Sequence, residues 1–97
     1  MQTTKEYIDT LKSSESELKQ MYGIRSLVIF GSVSRGEQKE ESDVDIFVDM
    51  APDLYRLVNL KRFLENKLKT KVDVVRKHSH INPHLLSEIE RDGINVF

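Results

Sequence analysis

Three aspartates in two apolar segments are the residues of this sequence best suited to catalysis. Asp43 and Asp45 stand two positions apart in a mostly apolar segment, and Asp73 lies between Val72 and Val74 in a later one. Residues two apart on a β-strand point to the same face of the sheet. We therefore predict that Asp43 and Asp45 share one face, and that Asp73 joins them if the two strands are neighbours.

Carboxylates held together in this way favour a bound cation. Two negative charges about 4 Å apart repel by roughly 4 kcal/mol at an effective dielectric constant near 20, and proteins rarely bury such a pair without neutralising it. Carboxylate oxygens are also the ligands that Mg²⁺ prefers. We predict that Asp43, Asp45 and Asp73 bind two Mg²⁺ ions and carry out phosphoryl or nucleotidyl transfer, with Asp73 also considered as the general base. The alternative is that they are exposed carboxylates at strand ends.

A second candidate motif follows the first apolar strand. Gly31 permits close approach of the backbone to a ligand, and the N–H groups after it can surround phosphate oxygens, to which the Ser32 hydroxyl adds a donor. Arg35 either contacts a phosphate or pairs with Glu37 or another acid, and the sequence leaves both alternatives open. Gly31, Ser32 and Arg35 are therefore the candidate nucleotide-binding residues.

The periodicity of apolar residues predicts the elements that position these motifs. We predict a helix over 3–22 that ends at Gly23, strands over 25–30, 43–49 and 72–75, helices from Asp53 to about Lys69 and from Asn82 to Gly93, and a terminal strand over 94–97. This order predicts one α/β (α+β) domain over 1–97, with a small mixed sheet of about four strands flanked by helices.

Two of the predicted helices carry apolar stripes that should face the core. The stripe of the first helix comprises Ile8, Leu11, Leu18, Met21 and Tyr22. That of the second comprises Leu54, Leu57, Val58, Phe63, Leu64 and Leu68. Apolar residues at this spacing are typical of a helix that packs on a sheet.

Composition excludes several classes of function. The 97 residues carry a net charge of −1, which argues against a general nucleic-acid binder. Cysteine is absent, which fits a reducing compartment, and no apolar run reaches the ~20 residues that span a bilayer. The N-terminal residues lack a signal-peptide pattern, so we expect a soluble cytoplasmic protein without membrane contact. His78, His80 and His84 lack the spacing of a zinc site and are interpreted as surface residues.

The motifs together resemble a known superfamily. Gly31-Ser32, ten further residues and Asp43-Val44-Asp45 are similar to the signature of the DNA polymerase β-like nucleotidyltransferases. The pattern Gly-Ser-x-x-Arg-Gly and the short chain resemble the minimal nucleotidyltransferases (MNT), which are antitoxins typically encoded beside a HEPN-domain toxin. The segment 71–75 is similar to the strand that carries the third carboxylate of that family, and the resemblance extends from about residue 4 to 97.

The resemblance implies a nucleotidyltransferase fold and a Mg²⁺-dependent transfer of AMP from ATP to the partner HEPN RNase toxin, onto a hydroxyl expected to belong to tyrosine. The sequence adds an argument for a protein acceptor, because the predicted elements are all used to build the sheet and the phosphate site. Two alternatives stay open. The chain is either a non-catalytic antitoxin that binds and occludes the toxin, or a nucleotidyltransferase for a small molecule or an RNA end.

Overall fold

The computed structural model describes residues 2–97. Within them, the elements follow in the order α1 (Thr4–Ser13), α2 (Glu15–Tyr22), β1 (Ser26–Phe30), α3 (Gly31–Ser34), β2 (Val44–Asp49), α4 (Leu54–Leu68), β3 (Val72–Arg76), α5 (Pro83–Asp92) and β4 (Ile94–Asn95). Among these residues, no helix has both the length and the apolar character needed to cross a membrane.

The sheet is mixed, which confirms the predicted fold class. Its strand order is β3-β2-β1-β4, with β1 antiparallel to both of its neighbours and β2 parallel to β3. A parallel pair requires a crossover connection, and α4 supplies it. The edge strand β3 therefore lies beside β2, as the grouping of the aspartates requires.

The core lies between one face of the sheet and the helices α1, α2 and α4. Alternate residues of β2 are fully buried there, namely Val44, Ile46 and Val48. The buried residues of α4 recur at every fourth position, namely Leu60, Leu64 and Leu68. Because side chains alternate along a strand, the other residues of β2 point away from this core.

The N-terminal helical segment is broken, which corrects the prediction of one helix over 3–22. Ser14 ends α1 with non-helical dihedrals (φ −96°, ψ 3°). It is buried, and its hydroxyl donates to the Thr10 carbonyl at 3.0 Å, so that this polar side chain is satisfied inside the protein. The apolar stripe was also partly wrong, since Met21 is 58% exposed while Tyr7, which the stripe omitted, is buried.

The other boundaries follow the predicted capping residues. The Asp53 side chain accepts from the Arg56 N–H at 3.0 Å at the start of α4, and the Asn82 side chain accepts from the His84 N–H at 2.8 Å at the start of α5. The terminal strand is shorter than predicted. Its pairing nevertheless continues past β4, because the Leu27 N–H donates to the Phe97 carbonyl at 3.0 Å.

Two residues of the predicted α4 stripe do not face the core. Leu54 is 76% exposed and Val58 is 46% exposed, and Tyr55 between them is 87% exposed. Leu57, in the same turns, packs against the core, so the covered face is narrower here than the predicted stripe. The prediction was wrong because periodicity identifies an apolar face without showing how much of that face is covered.

Candidate functional site

Asp45 and Asp73 face each other across the parallel strand pair. They are register partners, as are Val44 and Val72, which are both buried. The two carboxylates therefore lie on the sheet face opposite the core, with Asp45 half-buried and Asp73 exposed on the edge strand. Asp43 is exposed and comes directly before β2. The structure thus brings together side chains that are 28 residues apart in the sequence (73 − 45).

The electrostatics of this group are dominated by negative charge. Burial raises the pKa of the Asp45 carboxyl to about 6 from an ordinary value of 3.8. The charges of the neighbouring Asp73, Asp43 and Glu88 carboxylates also raise this pKa, and Arg35 lowers it. Within residues 2–97, no lysine, arginine or histidine nitrogen lies within 4.0 Å of the three aspartates.

Gly31 begins α3 at the point where β1 ends. Its φ of +74° lies in the left-handed region that disfavours other residues. Phe30, the last residue of β1, is the register partner of Asp45, which places the turn beside that carboxylate. A Cβ on Gly31 would overlap the Asp45 Oδ2 atom. The Ser34 hydroxyl donates to the Gly31 carbonyl at 2.7 Å and closes the turn.

The first residues of α3 leave backbone donors available. The initial N–H groups of a helix have no intrahelical acceptor, and Ser32 is only partly buried. Because α3 has only four residues, its dipole is small, and any anion at the turn would depend on direct hydrogen bonds. The structure therefore places Gly31 beside Asp45, with Ser32 next in α3. A phosphate site at this turn stays a prediction.

Arg35 forms ion pairs in this structure. Its Nη1 lies 3.0 Å from Asp92 Oδ2 and 3.9 Å from Glu88 Oε1, and its Nε lies 3.4 Å from Glu37 Oε1. These contacts agree with the alternative in which Arg35 pairs with acidic side chains. A nucleotide contact for Arg35 stays a prediction.

Glu88 is a residue of the site that the sequence reasoning missed. It lies on α5, one helical turn before Asp92, and its charge contributes to the raised pKa of Asp45. No motif marks it, because α5 reaches the site only through tertiary packing against α3 and β1. The only signal was its i, i+4 spacing to Asp92, which is typical of any charged helix face.

The carboxylate group has the chemistry of a metal site without a complete ligand set. Within residues 2–97, no three His, Cys, Asp or Glu side chains are arranged closely enough to hold an ion. Hard oxygen donors and a half-buried Asp45 with no basic nitrogen of residues 2–97 within 4.0 Å fit Mg²⁺. This arrangement does not show two Mg²⁺ sites, and the binding of two ions stays a prediction. His78, His80 and His84 are all exposed.

Comparison with known proteins identifies the family. The family described as polymerase beta, nucleotidyltransferase matches residues 12–97. The chain belongs to this nucleotidyltransferase family. A Methanocaldococcus jannaschii relative named "Putative protein adenylyltransferase" is 39% identical over 98 residues, covering 99% of this chain and 100% of the relative. The protein adenylyltransferase MntA of Thermococcus cleftensis is 42% identical over 81 residues, covering 81% of this chain and 82% of the relative.

Solved structures of similar fold support the same assignment. A toxin–antitoxin structure with AMP-PNP has a TM-score of 0.72 and 26% identity, covering 89% of this nucleotidyltransferase and 72% of that chain. A tri-AMPylated Shewanella oneidensis HEPN toxin in complex with MNT antitoxin has a TM-score of 0.64 at 22% identity, covering 89% and 68%, and shows the shared fold. The predicted membership of the minimal nucleotidyltransferases is confirmed.

Proposed function

We propose that this nucleotidyltransferase is an antitoxin that transfers AMP from ATP to a hydroxyl, expected to be that of a tyrosine, on a partner HEPN RNase toxin. The observation that carries the proposal is the register pairing of Asp45 with Asp73 beside the Gly31 turn. The relatives named protein adenylyltransferase and the similar toxin–antitoxin structure with AMP-PNP support both the reaction and the partner.

The Gly31 turn would bind the triphosphate. The N–H groups of Ser32 and Val33 and the Ser32 hydroxyl donate to phosphate oxygens. Without a side chain at Gly31, a phosphate can approach the turn while Asp45 stays in contact with it. The reacting phosphorus would then lie next to the aspartates.

Asp43, Asp45 and Asp73 would hold two Mg²⁺ ions. When bound, these ions would neutralise the charge of the phosphates and the negative charge that develops in the transition state. Asp73 is exposed on the edge strand, where the hydroxyl of a large acceptor can reach it. The Asp73 carboxylate accepts the hydroxyl proton. The acceptor oxygen then bonds to the α-phosphorus of ATP, the bond to the β-phosphate breaks, and pyrophosphate leaves.

The test uses ATP labelled in the adenine, Mg²⁺ and the toxin encoded beside this chain. We expect label on the toxin, and a loss of at least about 100-fold in transfer rate for Asp73→Asn, as for removal of a general base. Asp49→Asn is the matched control, because Asp49 also lies on β2 but pairs with Arg25 at 2.9 Å. Absence of label, together with full neutralisation by Asp43→Ala/Asp45→Ala, would exclude the catalytic mechanism.

A second candidate function is neutralisation by binding alone. An exposed apolar patch at the start of α4, formed by Leu54, Tyr55 and Val58, supports it, because protein interfaces bury such patches. With Asn59 and Arg62, the patch lines a cavity of about 420 Å³. Under this function, substitutions in the patch abolish neutralisation, and substitutions of the three aspartates do not. A small-molecule or RNA acceptor would instead give turnover in the absence of toxin.

A further inference from the structure

One carboxylate of α5 is shared by two guanidinium groups. The Asp92 Oδ2 atom accepts from Arg35 Nη1 at 3.0 Å and from Arg91 Nη2 at 3.0 Å. Its Oδ1 atom accepts from Arg91 Nε at 3.1 Å. The Asp92 side chain is 12% exposed, whereas its partners Arg35 and Arg91 are 36% and 70% exposed. The two arginines hold the pKa of Asp92 below its ordinary value, with Arg91 the larger cause.

Arg35 links this carboxylate to the Gly31 turn. Arg35 follows α3 directly, and its backbone N–H donates to the Gly31 carbonyl at 3.4 Å. Its side chain donates to Asp92, which lies 57 residues later in the sequence. Arg35 therefore adds a side-chain link between the turn and α5 to the direct packing of α3 against α5.

The guanidinium of Arg35 is already surrounded by acids. Besides Asp92, Glu37 lies at 3.4 Å and Glu88 at 3.9 Å. A triphosphate would have to compete with three carboxylates for this group. The contacts therefore favour a role in holding elements together over a role as a phosphate ligand.

The C-terminal end of α5 is held close to the sheet. A Cβ on Gly93, which follows α5, would overlap the Ile89 carbonyl and lie 2.8 Å from Val28 Cγ1 of β1. The absence of a side chain there lets α5 end directly against the sheet. With α5 set against β1, the Arg35–Asp92 bond fixes the Gly31 turn relative to the same sheet that carries Asp45.

We propose that Arg35 and Asp92 form a positioning pair that holds the Gly31 turn in the orientation that binds ATP, and that Arg35 acts through Asp92 without contacting the nucleotide. The catalytic consequence rests on the proposed adenylyl transfer. The structural consequence does not, since the pair constrains the turn whether or not the chain is an enzyme.

A double-mutant cycle separates the two roles of Arg35. We expect Arg35→Met and Asp92→Asn each to lower kcat for AMP transfer to the toxin by roughly 10- to 100-fold with little change in KM for ATP, the cost of a misplaced reacting group. The double variant should lose no more than the larger single loss. Arg91→Met is the control, because it removes the other guanidinium on Asp92 and leaves the link to α3. Losses that multiply, with a raised KM for Arg35→Met alone, would show that Arg35 binds the nucleotide directly.

A second measurement does not depend on activity. In ¹⁵N-labelled protein, held well below the melting temperature of each variant, Asp92→Asn should shift the amide signals of Gly31 and Ser32. Arg91→Met should leave these signals in place, and Asp92→Glu, which keeps the charge, should restore them in part. Unmoved signals in Asp92→Asn would overturn the proposal. If the wild type transfers no AMP but these shifts occur, the proposed function fails and the positioning pair stands.

Discussion

The α-carbon of Gly31 lies against the Asp45 carboxylate, so closely that a single added methyl group would overlap Oδ2. The contact joins the two motifs of the sequence, the phosphate turn and the aspartate strand. It also makes the absence of a side chain at residue 31 a requirement of the site, in addition to the requirement of a φ of +74°.

Gly31→Ala should therefore impair both folding and nucleotide binding. We expect a loss of about 2–4 kcal/mol in the free energy of unfolding, from left-handed strain and from overlap with Asp45. The stabilisation of the protein by ATP should also be lost. Urea unfolding and melting with and without ATP measure the two effects.

Gly36→Ala is the matched control for that experiment. Gly36 has a similar φ of +69°, but nothing lies within 4 Å of the position of an added Cβ. This variant should lose only about 1 kcal/mol, from backbone strain, and should still respond to ATP. An equal ATP response in Gly31→Ala would mean that the turn does not bind phosphate.

Asp45→Asn should stabilise the metal-free protein near neutral pH. The pKa of Asp45 is about 6 in the folded protein and has an ordinary value of 3.8. The folded state therefore binds the proton more tightly, and the Asp45 contribution to stability falls as pH rises from about 4 through 6. After allowance for solvent screening, we expect a gain of about 1–2 kcal/mol for Asp45→Asn at pH 7.5 and little gain at pH 4.

Asp49→Asn should have the opposite sign. The hydrogen bond from Arg25 lowers the pKa of Asp49, so its contribution is present at neutral pH and is lost as pH falls below the ordinary pKa. Urea titrations of Asp45→Asn at pH 4 and 7.5, and of Asp49→Asn at about pH 2.5 and 7.5, test the pair. Destabilisation by Asp45→Asn at pH 7.5 would show that the negative charge is already compensated in the folded protein.

Mg²⁺ with ATP should raise the melting temperature. Ligand at 100 times its dissociation constant adds about 2.7 kcal/mol to the free energy of unfolding when it binds only the folded state. The shift should disappear on addition of EDTA, and it should weaken below pH 6, because protonation of Asp45 competes with metal. An unchanged melting temperature at millimolar Mg²⁺ and ATP, or a full shift in Asp43→Ala/Asp45→Ala, would contradict the proposed site.

The α4 patch should contribute to toxin binding. Leu54→Ser/Tyr55→Ser/Val58→Ser should weaken toxin binding by about tenfold or more, as for loss of an interface hot spot. The melting temperature should change little because these side chains are exposed. Met21→Ser is the control, since Met21 is an exposed apolar residue of α2, 58% accessible, outside the patch. Titration calorimetry with the toxin measures the difference, and equal affinities for the two variants would exclude the patch from the interface.

Local chemistry in the sequence determined the strands, the caps and the face of β2 on which Asp45 lies. The alternation of Val44, Asp45 and Ile46 has only one solution on a strand with one buried face. Asp53 and Asn82 begin their helices because each supplies a side-chain acceptor for a free N–H group. These features depend on neighbours a few residues away, so the sequence contains the whole interaction.

Tertiary packing decided the rest. The helix break at Ser14, the exposure of Leu54 and the placement of Glu88 depend on which surfaces meet, and periodicity carries no information about that. The Arg35–Asp92 bond joins residues 57 positions apart that share no motif. Residue types and spacing predicted a turn at Gly31 and the side of β2 on which Asp45 lies, whereas the pairing of Asp73 with Asp45 required β3 to lie beside β2. The pairing of Arg35 with acids of α5 is visible only after α5 has packed against the sheet.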